Sequence, residues 1–438
     1  MDITEWKNKN RRRRKYAHFD NRVSLDDVWA YINDPKNIQA HSFYPFIHYV
    51  KAFNKYDSIH GIKPKERELC YSAHIDRCIF QLYGFKLNQI YNMRLEKDGI
   101  GNSTIAYRDN LGKNNIHFAK QAIDFIRTEN NCYIIIGDFT KFFDSLDHKY
   151  LKKMLNNLLG TKELPADFYA IYKNITKFST WPMEAILELN GLSKDTNGIE
   201  KLNGQERALS FEQFKQHKKL FVKPNDKDYG IPQGSAISAV LSNIYMLEFD
   251  KELNNYISHR NGMYMRYSDD FIIVLPKENE YQFKEQFEDI NNTIKSIPKL
   301  ELQPDKTQIF EYNDKTLNNC NKLVLEGVKN GKNQLDYLGF TFDGNVVTIR
   351  DKTLSKFYYR MYRKLKTIQK NHGVTKSGNK ISYKNVYEKY SIKGANIGKG
   401  NFISYVQRAE NIFGKSEAIN RGTKNHMQKI RQKLNNVN

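Results

Sequence analysis

The chain is short of acid relative to base: 49 Asp and Glu stand against 70 Lys and Arg in 438 residues, a net charge of +21. A fold gains nothing from that imbalance, whereas a polyanionic partner does, so nucleic acid is the expected partner class. Cysteine is scarce too. Cys70, Cys78, Cys132 and Cys320 are scattered without a CxxC pair, which excludes a disulfide framework and a zinc module and fits a reducing, cytoplasmic setting. No apolar run is long enough to span a bilayer and no amphipathic anchor stands out, so no membrane role is expected. The basic start is followed by no apolar segment and is not a secretory signal. With 39% hydrophobic and 27% charged residues the sequence is globular, with a core for about two to four structural units.

What is present centres on Met263–Pro276, MYMRYSDDFIIVLP. Two aromatic and β-branched runs flank Ser268-Asp269-Asp270, the pattern of a β-hairpin with two adjacent carboxylates at its tip. Such a pair repels itself and is tolerated mainly where cations gather, so a divalent metal site is the natural reading beside that of a solvated turn. Earlier, Tyr133–Ile136 is an uninterrupted apolar run ending in Gly137-Asp138, a buried strand with a carboxylate at its end. An unpaired buried charge is costly, so Asp138 is poorly explained as core. Asp147 reads as the N-cap of a helix carrying Leu151, Met154, Leu155 and Leu158.

The remaining stretches are placed more coarsely. Lys7 to Lys15 reads as a solvated basic arm that also touches phosphate, and Val23–Tyr56 as short helices with loops. Lys63, Lys65 and Arg67 alternate on an extended segment and would project to one face, as a phosphate grip requires. The next stretch has Ile75, Ile79, Leu82 and Tyr83 at helical spacing, and Ala106-Tyr107-Arg108 closes this region. Residues 160–228 read as an insertion without chemistry. GIPQG, residues 230–234, is a rigid loop feeding a helix with Ile237, Val240, Leu241 and Ile244 on one face. Leu335–Phe342 reads as a compact hairpin, and from Thr353 the chain is basic and helical, a separate small domain suited to a duplex backbone.

Taken in order, DFTKFFD (138–144), IPQG (231–234), YSDD (267–270), PDKT (304–307) and YLGF (337–340) resemble consecutive blocks of reverse transcriptases, the prokaryotic group II intron, retron and defence-associated branch above all. The resemblance spans about residues 60 to 345. It implies an α+β right-hand fold of fingers, palm and thumb: a basic extension over 1–40, fingers over 41–130, a palm over 131–345 with the 160–228 insertion, and a helical thumb over 346–438. It further implies that Asp138 and Asp269, assisted by Asp270, hold two Mg²⁺ ions, or Mn²⁺, for attack of a primer 3′-hydroxyl on a deoxynucleoside triphosphate. Phe143 would sit under the sugar and clash with a 2′-hydroxyl; Phe142 takes that place if the register slips. Gln233 and Gly234 would line the nascent base pair, Lys65 and Arg67 would grip the triphosphate, and Lys306 would meet the leaving pyrophosphate. Leu338, Gly339 and Phe340 resemble the primer grip.

The sequence departs from its relatives in places. Ser268 stands where intron-encoded enzymes usually have Ala, and there is neither an NAxxH block nor a VTG triplet; the nearest is Val374-Thr375-Lys376. No Cys/His-rich endonuclease tail follows. By elimination the expectation is a bacterial defence-associated enzyme working on an RNA template and a DNA primer or product, with a dedicated non-coding RNA, and as a homo-oligomer or with a partner protein. The competing expectations are template-independent or protein-primed synthesis, and a non-catalytic RNA-binding scaffold.

Overall fold

A computed structural model of the chain describes every residue except 58–60, 375–377, 379, 382, 399, 416 and 436–438, and the backbone alone of 54–57, 62 and 63. The side chain of Lys63, and Thr375 and Lys376 of the triplet named above, therefore lie outside the described residues. Among the described residues twelve strands occur in chain order: β1 Phe46–Asp57, β2 Gly61–Tyr71, β3 Asn131–Asp138, β4 Ser179–Pro182, β5 Lys223–Pro224, β6 Met263–Tyr267, β7 Asp270–Pro276, β8 Gln308–Asn313, β9 Thr316–Asn319, β10 Leu335–Tyr337, β11 Phe340–Phe342 and β12 Val347–Ile349. They form a five-stranded sheet β6-β7-β3-β8-β9, a four-stranded sheet β2-β1-β4-β5 and a three-stranded sheet β10-β11-β12.

The five-stranded sheet is antiparallel throughout and is the centre of the molecule. Its apolar runs are unbroken because both faces are buried. Alternate side chains of a strand point to opposite faces. Tyr133 and Ile135 of β3, with Phe271, Ile273 and Leu275 of β7, enter one core; it is shared with the helices His74–Lys97, Ser238–Tyr245 and Glu280–Ser296. Cys132, Ile134 and Ile136, with Ile272 and Val274, enter a second core formed with the helix Asn115–Glu129 and with β10–β12. No helix among the described residues is long and apolar enough to cross a membrane.

Three expectations are corrected. Residues 46–56 are not helix and loop but the long strand β1, paired antiparallel with β2 over eleven positions. The N-terminal stretch is not simply a free arm. The helix Ile3–Asn10 stacks Trp6 on Phe85, ring centroids 4.8 Å apart, and of the basic stretch Lys7–Lys15 only Arg11–Lys15 form a continuous exposed run before the chain turns inward. Ala17 and Phe19 then share a core with Trp181, Ile186, Leu202 and Leu209 of the insertion. Arg22 ties the two together by donating to the carbonyls of Asn203 (2.7 Å) and Gln205 (2.6 Å). Each apolar stretch covers what the other would leave wet. Finally, the C-terminal helices are only partly a separate unit. Met361, Leu365, Ile368, Val386, Ile430 and Leu434 have their own core, but Val406, Ala409 and Phe413 belong to the one beneath the central sheet.

Candidate active site

The three acids meet through strand register. Asp138 ends β3, Asp270 begins β7, and the two are direct partners in the antiparallel pairing. Their neighbours show why the sequence permits this. Gly137 pairs with Phe271, and a Cβ there would come 2.1 Å from the Phe271 ring, so only glycine lets the ring lie across the strand beneath the acids. Beyond Asp138, Phe139 donates its backbone N–H to the Asp269 carbonyl (3.3 Å), and the Asp138 carbonyl accepts from the Gln303 N–H (2.8 Å).

The tip between β6 and β7 is Ser268-Asp269, with Ser268 in the left-handed region at φ 65°. It stands on a buried polar network. Arg266, wholly enclosed in β6, donates to the Ser268 carbonyl (2.9 Å) and forms an ion pair with Asp250 at 2.5 Å. Asp250 also accepts from Tyr264 Oη (2.7 Å) and Thr104 Oγ1 (3.1 Å). A desolvated guanidinium is tolerated only with such a set of partners. Neither Arg266 nor Asp250 is anticipated from the motifs, although an arginine inside a buried apolar strand is itself a signal that an acid must face it.

Charge on the acids is visibly in tension. Enclosure, and then the negative charges of Asp269 and Asp138, push the Asp270 carboxyl up to about 7. Because Asp270 still opens to the cleft's water, the like charges are the more durable cause. Asp269 is raised as well, by burial first. Lys306, on the short 3₁₀ turn Pro304–Lys306, places Nζ 2.5 Å from Asp138 Oδ1. Among the described residues no three His, Cys, Asp or Glu side chains converge as a ligand set on one point. In this arrangement Asp138 turns to its lysine. The donor set nevertheless suits a hard cation: carboxylate oxygens only, mutually repelling, in a cleft open to water.

That cleft, about 580 Å³, gathers Asp138, Asp269, Asp270, Lys306, Lys65, Arg67 and Leu338, together with Phe53, Gln308, Asp336, Arg350 and Lys352. Lys65 lies opposite Phe53 in the β1–β2 pairing, and Arg67 rests over the Phe53 ring, 5.8 Å from its centroid. Leu338 and Gly339 both have positive φ, 45° and 94°, and make the two-residue turn between β10 and β11. Asn115 donates to the Leu338 carbonyl at 2.9 Å. The expected grip is otherwise less reaching than its motif: Phe340 is 1% exposed and packs on Phe413, so it is a core side chain.

Phe143, Gln233 and Gly234 do not line that cleft. Phe143 is half-buried and edge-on to Phe142, which is the buried one of the two. Its carbonyl accepts from the Ile231 N–H (3.0 Å), joining DFTKFFD to IPQG. The Gln233 carbonyl accepts from the Cys70 N–H at 2.8 Å, and Gly234, φ 108°, lies so close that a Cβ would be 2.5 Å from the Cys70 carbonyl. The Gln233 amide donates to Asp144 (3.3 Å), whose carboxyl is raised by burial. Gln233 and Asp144 line a second cavity, about 670 Å³, walled by β1, β4, β5 and the insertion.

Residues 199–342 match the family model described as "Reverse transcriptase (RNA-dependent DNA polymerase)". That segment is thus similar to a reverse transcriptase domain, and the mixed helix-and-sheet architecture of the chain is the right-hand polymerase fold. The match holds IPQG, YSDD, PDKT and YLGF, while Asp138 reaches the site from outside it. No curated protein matches the chain. Among solved structures, apo telomerase from Candida tropicalis truncated from its C-terminal domain is similar at TM-score 0.41 and 11% identity, over 75% of this chain and 61% of that one. Telomerase from Candida albicans in complex with a TWJ fragment of telomeric RNA gives 0.40 and 14%, over 94% and 65%. This chain therefore spans less than two thirds of those chains, and a likeness this slight marks neither substrate nor partner.

Proposed function

We propose that the chain is a reverse transcriptase that extends a primer 3′-hydroxyl with deoxynucleotides on an RNA template. The observation that carries this reading is the register that sets Asp138 against Asp270 with Asp269 beside them, under a matched reverse transcriptase segment. Asp138, Asp269 and Asp270 would hold Mg²⁺ or Mn²⁺, with two ions per site. Such ions supply an activated 3′-oxygen and neutralise charge on the attacking and leaving oxygens. The chain's own part is binding and orientation. Lys65 and Arg67 project from one face of β2 into the cleft and grip the triphosphate. Lys306, already against Asp138, is placed to offer its charge to the pyrophosphate as it leaves. The Leu338–Gly339 turn holds the primer end. Phe143 selects the sugar, and Gln233 with Gly234 borders the template base, these three from the neighbouring wall.

We assign the fingers to about 41–130, the palm to 131–345 and the thumb to 346–438. The thumb helix Asp351–Lys370 buries Phe357, Met361, Leu365 and Ile368 and exposes Lys352, Lys356, Tyr359, Arg363, Lys366 and Lys370 along its other side. A stripe of cations beginning at the cleft and running about 30 Å fits a duplex backbone. The absent NAxxH and VTG signatures favour a bacterial defence role with a dedicated non-coding RNA. Primer extension with an RNA template, a DNA template and no template separates templated from untemplated or protein-primed synthesis. Asp269→Asn should lower incorporation on the order of 10³-fold or more while RNA binding stays near wild type. Wild-type incorporation by that variant would sink the reading.

A further inference from the structure

Resting on that reading, we propose that Tyr107, acting through Ser268, is a positioning residue for Asp269. Neither residue belongs to the chemistry assigned above, and Ser268 marks a departure from the resembled family's usual alanine.

Tyr107 lies in the segment Ser103–Arg108, which runs beside β6 and is fixed from several sides. Arg266 N–H donates to the Ser103 carbonyl (2.7 Å), and Ile105 N–H donates back to the Arg266 carbonyl (3.0 Å). Asn243 Nδ2 donates to the Ala106 carbonyl (3.0 Å), and Arg108 donates to the Thr104 carbonyl (2.9 Å) and to Asn92 (2.7 Å). Between Ala106 and Arg108 stands Tyr107, held in the left-handed region at φ 60° and 44% exposed. A bulky residue in that conformation costs free energy and persists where its surroundings over-determine it.

From this base the Tyr107 phenol O–H donates to Ser268 Oγ at 3.0 Å. Ser268 is 4% exposed and is itself left-handed, so its hydroxyl has few partners to choose from. With one lone pair taken by Tyr107, the Ser268 side chain is fixed at the rim, and Asp269 is the next residue of the same two-residue tip. Arg266 fixes the Ser268 carbonyl from the buried side (2.9 Å). The turn is thus held at its backbone from below and at its side chain from the rim. The rim contact acts one residue from Asp269, and fixing the turn there fixes the direction in which that acid leaves the backbone. This is the outer-layer support that orients ligating carboxylates.

The test is direct ion binding. Mn²⁺ is titrated into the full-length protein without nucleic acid or nucleotide, and free Mn²⁺ is read by electron paramagnetic resonance. Y107F deletes one oxygen from an exposed side chain, and S268A installs the resembled family's residue. Each should weaken Mn²⁺ binding about three- to tenfold, the worth of one hydrogen bond, with an unchanged melting temperature. The double variant should be no weaker than the weaker single one, because both break one relay. Wild-type affinity in Y107F, or additive losses in the double variant, would overturn the proposal. D269N separates the two readings. If D269N is inactive while Y107F binds Mn²⁺ normally, only the relay fails; if D269N polymerises normally, the polymerase reading fails first.

Discussion

At the scale of single residues, the site is assembled by side chains of opposite legibility. Asp138, Asp269 and Asp270 stand out in the sequence because Asp138 ends one apolar strand, Asp270 begins another and Asp269 adjoins it in the tip, where carboxylates need a reason. Arg266 and Asp250 do not stand out, since a pair 16 residues apart on a strand and a helix has no fixed spacing. Tyr107 is hidden for another reason: its role depends on a positive φ and on one hydroxyl contact. Phe143 is the residue whose role is least settled by position. It is the half-exposed member of the Phe142–Phe143 pair, so it is the ring that can meet a sugar. Phe143→Ala should narrow the preference for deoxynucleotides over ribonucleotides at least tenfold, read as the ratio of kcat/KM for dNTP and NTP; about 1.4 kcal/mol of clash is all that requires. Unchanged selectivity would remove Phe143 as the sugar gate.

At the scale of elements, the β6–β7 hairpin is a strand pair resting on a buried ion pair. Its strands could be read from their aromatic and β-branched runs, but what lies beneath them could not. Removing one member of such a pair leaves the other charged, dry and unmatched. Asp250→Ala strips Arg266 of its carboxylate and Tyr264 and Thr104 of their acceptor. Urea unfolding should report a loss of about 3–5 kcal/mol. Asp250→Asn, which keeps an acceptor, should lose less. Equal stability of wild type and Asp250→Ala would mean the network contributes nothing to the hairpin. The β1–β2 hairpin teaches the complementary lesson. Lys65 and Arg67 were legible as alternating cations, but β1 was not, because its polar and charged residues mimic loop composition and only pairing with β2 makes them a strand.

At the scale of the whole molecule, stability carries a pH signature at the junction of the N-terminal segment and the insertion. His18 is fully buried where the N-terminal segment meets the insertion. Its Nδ1 accepts from the Phe19 N–H (2.9 Å), so the ring is held neutral and Nε2 faces the Tyr71 carbonyl (3.3 Å). Burial, and then neighbouring His74, depresses its pKa from 6.5 to about 3. The unfolded chain takes up this proton near pH 6.5 and the folded one does not. Stability is therefore whole above about 6.5 and falls as pH drops toward 3. Denaturant midpoints across that window should decline with falling pH, and His18→Gln should flatten the slope. A slope unchanged in that variant would reject His18 as its source. This junction was also the part of the fold least visible in the sequence. Its two halves lie far apart in the chain, Ala17 and Phe19 in one and Trp181 to Leu209 in the other, and no local period announces a partner that far away.

That separation has a consequence for how the protein is made. Ala17 and Phe19 leave the ribosome early, whereas Trp181 and Leu209, which cover them, come some 160 to 190 residues later. At about 5–20 residues per second, the nascent chain carries an uncovered apolar edge for roughly 10–40 s. Synthesis itself is thus an interval in which this chain is exposed to premature association.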